Sequence, residues 1–235
     1  MRSAAMDTPT PTPTSERART ALKRARARAS ARAVVAPPPA QRAAVWDRPV
    51  PVGRGAIPGG RPPLVWLLGA HGGAGVTTLE QLLAPAADCH RRWPAPIGRE
   101  SPYVLVVARA TVIGLAAADA LLRQHHAGLA GDSTVVGLVT VAARPGRLPA
   151  AIRRDRDLYS GLVEHLWHVD WHETWTLAGH DALPVWTPGQ PTPQHTCRDD
   201  DLSTPPADVR ALGAAVTETV AALHHATITD NGESP

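Results

Sequence analysis

One segment constrains this chain more than any other. Leu64-Val65-Trp66-Leu67-Leu68 is an unbroken apolar run that leads into Gly69-Ala70-His71-Gly72-Gly73-Ala74-Gly75, after which Val76-Thr77-Thr78-Leu79 opens a helix-compatible stretch. A short apolar run without alternation suits a strand buried on both faces. Strand, glycine turn and helix in that order form the context of a phosphate loop. Backbone N–H groups converge on an anion there, and the helix N-terminus adds positive potential. A hydroxyl in the first helical turn, here Thr77, is placed to ligate Mg²⁺.

The rest of the chain repeats the alternation. The pattern predicts a helix over 77–86, stopped around Pro85, and a loop over 88–102. Strands are expected at 103–108, 134–142 and, more weakly, 164–171, with helices at 112–125 and 148–163. Residues 179–205 read as Pro-rich loop. A last helix is expected over 205–225, with Val209, Leu212, Val216, Val220 and Leu223 on one face. Strands alternating with helices imply a mostly parallel sheet covered on both sides, a three-layer α/β sandwich. Ligands of such sheets sit beyond the carboxyl ends of the strands, where the glycine cluster falls.

His71-Gly72-Gly73-Ala74-Gly75-Val76-Thr77-Thr78 resembles the deviant Walker A loop of ParA/MinD-like P-loop ATPases, Lys-Gly-Gly-x-Gly-Lys-Thr-Thr. Gly72, Gly73, Gly75, Thr77 and Thr78 match in place, whereas His71 and Val76 stand where that loop carries its two lysines. The likeness covers roughly residues 64–175, and the lysine-poor, Ala/Arg/Pro-heavy usage fits a divergent actinobacterial branch. The resemblance implies ATP with Mg²⁺ as ligand, dimerisation on it, and a nucleotide site at His71, Gly72, Gly73, Ala74, Gly75, Val76, Thr77 and Thr78, with Thr77 on the metal. Valine has no charge with which to stabilise a departing phosphoryl group. The strand expected to end in a magnesium-binding aspartate ends in Ala108-Arg109, and the next in Ala142-Ala143-Arg144. No Walker B carboxylate is visible. Arg109 stands where a guanidinium can meet phosphate; the plainer reading pairs it with a surface acid.

Charge is distributed unevenly. Residues 1–61 hold twelve Lys/Arg against three acids, while the remainder holds twelve against eighteen; Lys23 is the only lysine. The alternating Thr-Pro run at 8–14, the Ala/Arg helix-compatible run at 15–33 and the Pro/Gly-rich stretch behind it read as a disordered tail and linker. We place the domain at 62–228 and a flexible C-terminus at 229–235. The basic segment 15–34 offers non-specific contact with DNA, or with anionic lipid, by counterion release. Two cysteines, Cys89 and Cys197, form no metal or disulfide framework. With no secretory h-region and no membrane-length apolar run, they favour a cytoplasmic setting.

Other clusters have plain readings. On a strand, His168 and Asp170 point to one side and are close enough to share a metal, but no third ligand has clear spacing; a half-exposed strand is the default. His125-His126 and His224-His225 read as helix ends that suit the dipole. Asp199-Asp200-Asp201 reads as a solvated turn. The functional expectation is a catalytically impaired ParA/MinD-like module that binds nucleotide, or no cofactor at all, and an unidentified protein partner. The alternatives are a divergent ATPase using Arg109 or a partner's arginine, and a DNA-associated protein acting through its tail.

Overall fold

The computed structural model describes residues 34–51, 62–190 and 202–232. The Ala/Arg run at 15–33, Cys197 and the Asp199–Asp201 turn lie outside them. Five strands form one sheet: β1 (Val65–Gly69), β2 (Ala86–Asp88), β3 (Tyr103–Arg109), β4 (Thr134–Val141) and β5 (Leu166–Val169). Every pairing is parallel, in the order β2-β1-β3-β4-β5. The helices are α1 (Val76–Leu82), α2 (Val112–His126), α3 (Ala150–Leu158), the single turn α4 (Thr174–Leu177) and α5 (Ala207–Gly232). The α/β architecture expected from the alternation is therefore the one adopted.

The continuous apolar strands divide by the period of two. Val65, Leu67, Leu105, Val107, Val139 and Val141 face one core, closed by Leu79 and Leu82 of α1 and by Val209, Leu212, Val216 and Val220 of α5. Trp66, Leu68, Val104, Val106, Ala108 and Leu138 face the other, against Ala118, Leu121 and Leu122 of α2. Burying one such aliphatic side chain contributes about 1.5–3 kcal/mol, so each face alone is a large driving force.

Four boundaries differ from the sequence reading. Helix α1 stops at Leu82, because Leu83 turns extended and Pro85 has no N–H to continue the helix. Residues Ala86–Asp88 then pair with Val65–Leu67 as an edge strand, where the pattern of three residues had given only helix end and loop. The 148–163 helix shortens to α3 and a 3-10 turn at Tyr159–Gly161. Helix α5 continues to Gly232, so His224-His225 lie within it rather than at its end.

The largest correction concerns residues 34–51, expected as linker before a domain starting near Arg61. They form a strap across the α2 side of the sheet. Trp46 and Val50 are buried in the second core. The Trp46 backbone N–H donates to the Trp93 carbonyl at 2.9 Å, and Trp93 returns a bond to the Ala44 carbonyl at 2.9 Å. The Trp46 indole donates to the Cys89 carbonyl at 3.0 Å. Two anchors well before the nearest strand-like run, which starts at Leu64, leave no periodicity to read, so composition alone assigns them to linker.

Candidate functional site

The sheet order brings the ends of β1, β3 and β4 side by side, with the glycine turn lying across them. Gly73 and Gly75 adopt left-handed φ of 78° and 104°, a conformation that a side chain would disfavour. Gly75 is the N-cap of α1 and supplies no side-chain cap, which leaves the first-turn N–H groups open to an outside acceptor. A Cβ at Gly75 would lie 3.3 Å from Val141 Cγ2, so the turn is seated on the end of β4. A Cβ at Gly69 would lie 2.9 Å from Val76 Cγ2. Val76 thus folds back over the start of the loop and packs on the first core.

His71 is also committed. Its Nε2 accepts the Arg109 backbone N–H at 3.2 Å, and its Nδ1 donates to the Gly72 carbonyl at 2.8 Å. Both ring nitrogens are thereby engaged. The ring lies against α2, where a Cβ on Gly114 would come 2.9 Å from Nε2.

Arg109 meets the loop through its side chain. Its Nε donates to the Gly73 carbonyl at 2.9 Å and its Nη1 to the Ala142 carbonyl at 2.6 Å. No acid pairs with it among the described residues. The guanidinium therefore ties the glycine turn to the end of β4. Burial lowers its pKa from the usual arginine range, and arginine remains a cation throughout that range.

A cavity of about 110 Å³ opens beside this cation, lined by Gly75, Thr78, Arg109, Asp170, His172 and Trp175 among others. Thr78, rather than Thr77, faces it; Thr77 is exposed. The turn after β5 supplies its far wall. There His172 Nε2 lies 3.0 Å from Asp208 Oδ2 and its ring packs 4.2 Å from Trp175. Asp208 also accepts the backbone N–H of Asp170 at 2.8 Å and of Val209 at 2.8 Å. Burial opposes ionisation of Asp208, but the His172 hydrogen bond, these two N–H groups and the attraction of His172 together hold its pKa below the usual carboxylate range. Sequence reasoning missed the role of Asp208 and His172 because a carboxylate on the last helix and a ring after β5 meet only in three dimensions. The signal available was the His/Trp density of 164–172 at a strand end.

The enclosed space has room for a phosphate group, with the rest of any larger ligand left outside it, since whole small-molecule sites run to about 300–1,000 Å³. Metal binding fits less well. Among the described residues, no three His, Cys, Asp or Glu side chains gather to hold an ion. His168 spends Nδ1 on Thr140 Oγ1 at 2.9 Å and keeps Nε2 3.6 Å from Asp170, a pair without a third ligand. The helix-end reading also changes for His125. Burial, then repulsion from His126, lowers its pKa, and its Nε2 meets the Ser133 carbonyl at 3.1 Å.

No helix among the described residues is long and apolar enough to cross a membrane. Residues 63–179 match a family described as "Family of unknown function (DUF6668)". That span runs from β1 through α4 and holds the glycine turn, Arg109 and His172, but neither the strap nor α5. No match is found among curated proteins or among solved structures.

Proposed function

We propose that this chain is a catalytically impaired P-loop-type module, of the ParA/MinD-like kind its loop resembles, which binds a phosphate-bearing ligand for regulation instead of hydrolysing it. One observation carries the reading. Both side chains at the lysine positions are spent on holding the loop, His71 through the Arg109 N–H and the Gly72 carbonyl, Val76 through Gly69. Arg109 is left as the cation of the cavity, with donors beyond the two it uses on carbonyls. Electrostatic stabilisation is usually the largest catalytic contribution, and a site with one committed arginine and no metal ligand set supplies little of it.

Calorimetry with ATP, ADP and GTP, with and without Mg²⁺, is the direct test. The reading expects binding that is indifferent to Mg²⁺, weakened by Arg109→Ala, and without turnover. Mg²⁺-dependent hydrolysis abolished by Thr78→Ala would replace it with a divergent ATPase, a reading that the presence of Asp170 and Thr78 on the same cavity favours. The charge asymmetry of residues 1–61 supports a separate contact with DNA. Its test is salt-sensitive, sequence-independent binding lost on deleting residues 1–33.

A further inference from the structure

We propose that the cleft between residues 40–44 of the strap and helix α2 binds a small organic anion bearing phosphate or carboxylate groups, at a site separate from the cavity beside Arg109. The cleft encloses about 800 Å³, inside the range of small-molecule sites of about 300–1,000 Å³. Its walls include Arg42 of the strap, the backbone of Gly69 and Ala70 at the end of β1, Arg91 and Arg92 after β2, and Asp119 of α2.

The charge in this cleft is one-sided. Asp119, the one carboxylate on its walls among the described residues, is already held by Arg123 Nε at 2.7 Å. The three arginines have no acid partner among the described residues. Arg42 spends Nε on the Pro37 carbonyl at 2.8 Å. Arg92 reaches the Val45 carbonyl only at 3.5 Å, and its Nε is buried without a hydrogen-bond acceptor. Each guanidinium has five N–H donors in a planar fork that matches carboxylate and phosphate oxygens. Most of these donors are unspent.

The backbone that presents two of them is strained. His90 and Arg91 are consecutive non-glycine residues at φ 57° and 58°. The conformation is held by the His90 N–H on Asp88 Oδ1 at 2.7 Å, by His90 Nε2 against the Pro51 carbonyl at 2.9 Å, and by the Arg92 N–H on the Cys89 carbonyl at 3.2 Å. Strain that its surroundings over-determine is a mark of ligand sites. Arg92 also lies 4.3 Å over the Trp46 ring, so its plane is set before any ligand arrives, which lowers the cost of binding.

Titration calorimetry of the full chain at low salt, with inorganic pyrophosphate and with citrate, tests the site and separates the two ligand chemistries. We expect saturable binding of at least one that persists in Arg109→Ala and is weakened tenfold or more when Arg91→Glu is added to that variant. Arg91 is exposed, and an unaltered melting temperature would show that the variant folds. Absence of binding by both anions, or equal affinity in Arg109→Ala with and without Arg91→Glu, overturns the proposal. Binding lost in Arg109→Ala but kept in Arg91→Glu assigns the anion to the cavity beside Arg109 and overturns it as well.

Discussion

The carboxamide of Gln124 meets the backbone of Ala43 as a neighbouring strand would. Its Oε1 accepts the Ala43 N–H at 2.9 Å while its Nε2 donates to the Ala43 carbonyl at 2.7 Å. The second Nε2 hydrogen goes to the Leu129 carbonyl at 2.8 Å. A side chain only 2% exposed is thereby fully used, and one residue of α2 fastens the strap. Each polar group stranded by its loss costs about 1–3 kcal/mol where water is excluded. Gln124→Leu is therefore expected to destabilise the protein by about 2–3 kcal/mol in urea unfolding. A loss within about 0.5 kcal/mol would mean that the strap is held by its tryptophan alone.

Val76→Lys returns a charge to the loop without returning a metal site. The expected outcome is nucleotide bound about tenfold more tightly, as one ion pair near a cavity of low dielectric gives, with turnover still absent. Calorimetry and phosphate-release assays read the two halves separately. Restored turnover would show that the missing lysine alone had silenced the site.

Gly114→Ala strikes the loop from behind. The added methyl would fall on the Arg109 carbonyl oxygen and 2.9 Å from His71 Nε2. Overpacking of this kind costs about 1–3 kcal/mol, and the movement is expected to break the His71–Arg109 bond. A lowered melting temperature with weaker anion binding checks this; full binding in the variant would show that His71 does not position the loop.

Acid should act in two windows. His125 and His168 have pKa values lowered from 6.5, chiefly by burial. The unfolded chain takes up protons before the native one, so stability falls as pH drops below about 6.5, until the folded values are passed. Asp208 has a lowered folded pKa, so its contribution is complete above the ordinary value of 3.8 and is lost as pH falls through the folded value. Melting curves between pH 7.5 and 3 should show both declines. His125→Gln should flatten the upper one, and an unchanged slope would take His125 out of this account.

Much of this fold was legible in the chain. Runs such as Val104–Val107 and Val135–Val141 are apolar and β-branched enough to mark buried strands, and the four glycines between Gly69 and Gly75, behind Leu64–Leu68, put the turn in place. The rule that ligands lie at carboxyl strand ends singles out Arg109, whose side chain bonds the Gly73 and Ala142 carbonyls. What escaped lacks local pattern. Ala86–Asp88 is a strand only because Pro85 ends the helix beside an open edge of β1. The clamp of Asp208 on His172 joins residues 36 apart in sequence. Trp46 reads as a stray aromatic until Cys89, Trp93 and Arg92 surround it.

The coverings of the sheet have a practical corollary. The strap lies before the segment shared with the family, and α5 lies after it. A polypeptide trimmed to residues 63–179 would uncover Trp93 on one side and, on the other, the surface that Val209, Leu212, Val216 and Val220 seal. Such a fragment should aggregate where the longer chain stays monodisperse, so the smallest self-sufficient unit runs from about residue 34 through the final helix.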